Sequence, residues 1–217
     1  FLSCIPNIAQ MAPRDATELR EMLKFMADYS SGPIAMRYPR GNAEDILPES
    51  RTAIQYGRVE ILGTPQGDGG QARNKRQVLI VAVGSMVSEA WIAAIELQGQ
   101  GIEAIVVNVR FIKPFDSETI APLFKEIGAL ITIEESVRTG GFGQQVRDVF
   151  AGMGLGHLPH EIMSLPDAFV EQGAQPIIRQ ESGLTAGHIV ERAASLLDPS
   201  RKSGKAFVSS EGRTNLL

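Results

Sequence analysis

The chain has 217 residues, 43% hydrophobic and 21% charged, with 25 acidic against 21 basic side chains and a formal net charge of −4. That composition excludes wholesale disorder, and the acidic balance argues against a nucleic-acid-binding surface or a polybasic membrane patch. The longest clean apolar run, Val78 to Val83, is far short of the about 20 residues that a spanning helix needs, so no membrane partner is expected. Cys4 is the single cysteine and cannot form an internal disulfide, which points to a reducing, cytoplasmic setting. The sequence begins at Phe1 within FLSCIPNIAQMAP, with no charged region leading into an apolar stretch. It is expected to be a piece of a longer polypeptide rather than to carry a signal peptide.

In chain order, residues 8–12 read as a short strand ending at Pro13. Asp15 offers a helix N-cap, Glu18 completes a capping box, and Leu19, Met22, Leu23 and Met26 form an amphipathic stripe. The SSGP stretch at 30–33 stops that helix, and Ile34 to Arg37 reads as a second strand running into YPRGN at 38–42. Strand, helix and strand in this order make a βαβ unit. Residues 63–77, rich in Gly, Gln and charge, read as an exposed loop, with one short strand expected within 55–62. A domain boundary is placed near residue 48.

The βα rhythm then resumes. Val78–Val83 is a buried strand, and Gly84-Ser85 turns into a helix over 86–98 with Ser85 as its expected cap. Ala104–Val109 is the next strand, followed by RFIKPFD, with Asp116 capping a helix that carries Ile120, Leu123 and Phe124. Ala129–Ile133 is a third strand leading to Glu134 and Glu135, and GGFG at 140–143 opens a helix to about Phe150. His160–Ser164 is a fourth strand, and Thr185 caps a last helix through Leu197. The expected fold class is α/β with a mostly parallel sheet covered on both faces. The polar tail 198–217 lacks a periodic stripe and is expected to be disordered.

Arg37 and Arg40 bracket Tyr38-Pro39 at the C-terminal end of a predicted strand, where open α/β sheets place ligands. A guanidinium there suits a phosphate or carboxylate; the alternative is a solvated or ion-paired arginine. GGFGQQV lies at a strand-to-helix turn whose free N–H groups suit an anion, but Val146 stands where a dinucleotide fingerprint has its third glycine, and tight packing is the alternative. Glu134 and Glu135 are adjacent on a strand, so only one faces a crevice, and capping or ion pairing is the expected role. His157, His160 and Glu161 are not expected to bind metal, because Pro159 interrupts any helix that would align them and no cysteine joins them. Ser85 lies in GSM rather than in a nucleophile elbow. The GDG at 67–69 lacks the following Asn of a Mg²⁺-diphosphate motif and lies in the linker.

Taken together, CIPN, MAPRDATELREML, GPIAMRYPRGN, YGRVEIL, VLIVAVGSMV, VVNVRFIKPFD and ITIEESVRTGGFGQQV occur in the order found in the 1-deoxy-D-xylulose-5-phosphate synthase family, which the chain resembles over residues 1–197. That family is a branch of the transketolase-like thiamine-diphosphate enzymes. The resemblance implies that 1–47 ends a pyrimidine-binding domain, 48–77 is a linker, 78–197 is a transketolase C-terminal domain and 198–217 is a tail. It implies the condensation of pyruvate with D-glyceraldehyde 3-phosphate with loss of CO₂, feeding isoprenoid, thiamine and pyridoxal synthesis. It assigns the acceptor phosphate to Arg40, with Arg37 as a helper. The ligands of thiamine diphosphate and Mg²⁺ and the catalytic groups are expected upstream of Phe1, so this chain by itself is expected to be inactive and to work within a homodimer. A β-type subunit of a 2-oxoacid dehydrogenase and a non-catalytic dimerisation module are the rival readings.

Overall fold

The computed structural model describes residues 2–41, 47, 52–63, 77–198 and 200. Asn42, the boundary at 48, the GDG loop and the tail beyond Ser200 lie outside the described residues. Two sheets form the framework: a three-stranded sheet of order β2-β1-β6 and a five-stranded sheet of order β3-β5-β4-β7-β8.

In the first sheet, β1 (Ala9–Met11) pairs in parallel with β2 (Ile34–Met36), joined by helix α1 (Ala16–Asp28). The Asp15 carboxylate accepts the Glu18 N–H at 2.8 Å, the expected cap. Glu18 bonds the Arg14 N–H rather than that of Asp15. The buried face of α1 also departs from the expected stripe. Met22 is buried and Phe25 and Met26 pack on Met11 and Phe111, whereas Leu23 is half exposed. The helix is rotated because its core face includes the fully buried Glu18, a residue that hydropathy assigns to solvent.

RFIKPFD holds a strand that the sequence pattern missed. β6 (Phe111–Lys113) pairs antiparallel with β1, so the chain returns to the first sheet after building part of the second. In the second sheet, β4 (Gln77–Ala82), β5 (Glu103–Asn108), β7 (Ala129–Val137) and β8 (His160–Leu165) are parallel, and β3 (Glu60–Gly63) lies antiparallel on the β5 edge. β4 is buried along its whole length, as a central strand covered on both faces must be.

Helices α2 (Met86–Gly99) and α6 (Ala186–Leu197) pack on one face, burying Met86, Ala90, Ala93, Leu97, Ile189 and Ala193 against Val78, Ile80 and Ile131. The other face takes α3 (Ser117–Ile120), which passes into a 3₁₀ turn at Ala121–Lys125, and α4 (Phe142–Gly152). Their Ile120, Phe124, Val146 and Phe150 close on Leu79, Val81 and Val107. Helix α5 (Gln175–Glu181), absent from the sequence reading, buries no residue. Among the described residues no helix is long and apolar enough to cross a membrane.

A buried polar cluster joins the sheets. Arg110, in the left-handed region at φ 54°, donates to Glu18 at 2.7 Å and pairs with Glu60 at 2.9 Å. Arg14 reaches Glu60 at 2.8 Å, and the Asn108 amide donates to both carboxylates. Burial pushes the Glu18 carboxyl above its ordinary range, opposed by Arg110 and by the hydrogen bonds of Arg14 and Asn108.

Candidate functional site

A cleft of about 290 Å³ opens where the two sheets meet. It is lined at the C-terminal ends of parallel strands, the position at which open α/β sheets bind ligands. β1 leads to Ala12 and Pro13, β2 to Arg37, Tyr38 and Pro39, and β4 to Val83, Gly84 and Ser85, while β7 supplies Glu135 and α5 supplies Gln175. Gly84 adopts φ +59°, the left-handed region that glycine enters without strain, at the turn that carries β4 into α2. The Arg37 N–H donates to the Met11 carbonyl at 2.9 Å and ties the arginine segment to β1.

Sequence reasoning paired Arg37 with Arg40, and the structure separates their environments. Both side chains are exposed, but only Arg37 lines the cleft; Arg40 stands next to Gly41, which lies beside the Gln175 side chain. The Arg37 guanidinium makes no ion pair with the described residues. Its surroundings lower its pKa by desolvation, opposed by the fields of Glu134 and Glu135, and a guanidinium stays charged throughout.

The two glutamates face opposite ways, as alternation requires. Glu134 is buried and accepts the N–H groups of Phe142 at 2.9 Å and Gly143 at 2.7 Å, together with the Ser136 hydroxyl. The N-terminus of α4 therefore holds an internal carboxylate, which occupies the donors that an external phosphate would use. Two glycines of GGFG answer to packing: a Cβ on Gly143 would lie 2.5 Å from the Thr132 Oγ1, and one on Gly141 would strike the Val137 carbonyl.

Glu135 faces the cleft and accepts from the Ser85 Oγ at 2.6 Å, the Arg179 Nε at 2.8 Å and the Gln175 Nε2 at 3.2 Å. Burial raises its pKa, but the hydrogen bonds from Arg179 and Ser85 and the Arg179 charge outweigh burial and hold it below the ordinary carboxylate value. Ser85 thus does not cap α2 with its side chain, as the sequence suggested, because its hydroxyl is drawn to Glu135. Thr185 likewise makes no side-chain cap: its hydroxyl meets His188, and Glu89 from α2 accepts the Ala186 N–H at 2.8 Å instead. Gln175 and Arg179 were missed altogether, although Pro176 at the first turn of a helix and their four-residue spacing are the signals that mark them.

A diphosphate with a divalent cation needs clustered oxygen donors. Among the described residues no group of three His, Cys, Asp or Glu could hold a metal. The cleft carboxylate Glu135 is committed to Ser85, Arg179 and Gln175. These residues do not fit a thiamine diphosphate–Mg²⁺ site. His160 hydrogen-bonds Thr132 from the start of β8, at the end of the strands opposite the cleft, and does not join the site.

Residues 67–189 match the family model described as transketolase, C-terminal domain. A 1-deoxy-D-xylulose-5-phosphate synthase from Desulforudis audaxviator is 40% identical over 196 residues, covering 90% of this chain and 29% of that protein. The corresponding synthase 2 from Geobacter sulfurreducens is 41% identical over 197 residues, with 90% and 30% covered. The chain thus spans about three tenths of the length of the curated relatives it matches. Among solved structures, a split-gene transketolase in an inactive beta4 tetramer superposes with a TM-score of 0.74 at 28% identity, covering 89% of this chain and 59% of that one. A transketolase mutant from Pichia stipitis, at 21% identity and a TM-score of 0.66, shares the fold over 93% of this chain and 27% of its own. With the parallel sheet, its flanking helices and more than half of the residues matched by one family model, the chain belongs to the transketolase C-terminal domain family.

Proposed function

We propose that this chain is the C-terminal part of a 1-deoxy-D-xylulose-5-phosphate synthase, which joins pyruvate to D-glyceraldehyde 3-phosphate with release of CO₂. The observation that carries this reading is the Arg37 guanidinium, without an ion pair among the described residues, on a cleft at the C-terminal ends of parallel strands, with Arg40 three residues further along the chain. A planar cation at that place suits the phosphate of a small phosphorylated aldehyde. The similarity to synthases on both sides of the cleft supports it, since 90% of this chain aligns.

In this reading residues 1–47 close a pyrimidine-binding domain and 78–197 form the third domain of a cytoplasmic homodimer. Thiamine diphosphate supplies the carbanion chemistry when bound, and its ligands and those of Mg²⁺ lie in the length of the relatives that this chain does not span. The residues present here bind and orient the acceptor: Arg40 and Arg37 take its phosphate, and the Gly84-Ser85 turn with Gln175 shapes the wall beside it.

Acceptor choice in the intact polypeptide tests the proposal. Formation of 1-deoxy-D-xylulose 5-phosphate from pyruvate and D-glyceraldehyde 3-phosphate is expected. Acyl transfer to a lipoyl protein would instead assign the chain to a 2-oxoacid dehydrogenase.

A further inference from the structure

Helix α5 is attached to the molecule without a core of its own. None of its residues is buried, and the coil at 166–174 that leads into it is exposed throughout, with Phe169 wholly in solvent. An element with so little apolar burial lies at the low end of local stability and depends on its polar contacts. Those contacts converge on Glu135. Arg179 and Gln175, one turn apart on α5, both donate to its carboxylate, and Arg179 also approaches Glu89 at 3.8 Å. The pairing of β7 with β8 shifts register between Ile133 and Val137, the kind of irregularity that re-aims side chains at the edge of a site.

We propose that Glu135 and Arg179 form a latch that sets both the position of α5 against the cleft and the charge an incoming anion meets there; this rests on reading the cleft as the site of a phosphorylated acceptor. Glu135 and Arg37 line the same cleft. An anion drawn to Arg37 is repelled by the Glu135 carboxylate, and Arg179 offsets that repulsion. The Arg179 and Glu135 side chains are only 13% and 23% exposed, so solvent screens the pair weakly. Arg179 and Glu135 are thus positioning residues, one fastening the wall and both fixing the local field.

Two variants that break the same latch have opposite electrostatic consequences, which separates the field from simple loosening. In the intact polypeptide, Glu135→Gln and Arg179→Met are compared with wild type by hydrogen exchange of residues 175–181 and by calorimetric titration with inorganic phosphate. Faster exchange in 175–181 is expected in both. Phosphate affinity is expected to rise about two- to fivefold in Glu135→Gln and to fall by a similar factor in Arg179→Met, with the divergence shrinking as salt is added. Unchanged exchange, or shifts of affinity in the same direction for both variants, overturns the latch. Phosphate binding in wild type that disappears in Arg37→Ala keeps the site reading in place whichever way the two variants fall. Absence of binding, or binding indifferent to Arg37→Ala, overturns the site reading and the latch with it.

Discussion

Glu134 and Gly143 are joined by a 2.7 Å hydrogen bond from the glycine N–H to the Oε1 of a carboxylate buried beneath the helix it caps. The glycine-rich turn therefore binds an anion that belongs to the protein. Glu134→Ala is expected to destabilise the chain by about 1–3 kcal/mol, because two buried N–H groups lose a charged acceptor. Gly143→Ala is expected to cost a similar amount by driving Thr132 and Ile162 away from α4. Urea unfolding midpoints read both. A Gly143→Ala variant as stable as wild type would remove the packing argument.

The buried cluster around Arg110 makes a stronger demand. Arg110→Met leaves Glu18 and Glu60 without their shared cation in a site closed to water, and a loss of about 3–5 kcal/mol is expected. Adding Glu18→Gln to Arg110→Met is expected to recover part of that loss, because the second change removes an unpaired buried charge. Simple additivity of the two single changes would show that the residues do not act as a cluster.

For the proposed acceptor site, Arg37→Ala and Arg40→Ala in the intact polypeptide are each expected to raise KM for D-glyceraldehyde 3-phosphate more than KM for pyruvate. A lost charge-assisted contact corresponds to about ten- to hundredfold. Arg37 lines the cleft and Arg40 does not, which makes the larger effect at Arg37 the expected outcome. Equal effects on both substrates would point to folding instead.

His160 supplies a pH dependence. Burial, together with the nearby Arg147 and Arg138 charges, lowers its pKa from 6.5 to about 4. Between those values the unfolded chain takes up a proton that the folded chain refuses, so this group lowers stability as the pH falls from 6.5 and its effect levels off below about 4. A His160→Gln variant is expected to lose less stability than wild type across that window. Parallel stability curves for the two proteins would contradict the burial of a neutral imidazole.

Sequence alone determined the alternation of strands and helices, the βαβ unit, the parallel sheet and the place of Arg37 at a strand end, because each is written in local periodicity and turn chemistry. It also supported the outward and inward split of Glu134 and Glu135, since neighbours on a strand must face opposite ways. The rest depended on partners distant in sequence. β6 carries too few residues to display a period, and its pairing with β1 spans about a hundred positions. Glu18 reads as a solvent-facing helix residue until Arg110 and Asn108 arrive from 90 or more positions away to neutralise it. Ser85 and Thr185 stand where caps belong, yet Glu135 draws the first hydroxyl away and Glu89 caps in place of the second. Only tertiary structure decided these, because the energy of a buried charge or hydroxyl is set by which opposite group the fold brings within hydrogen-bond reach, and no local pattern encodes that distance.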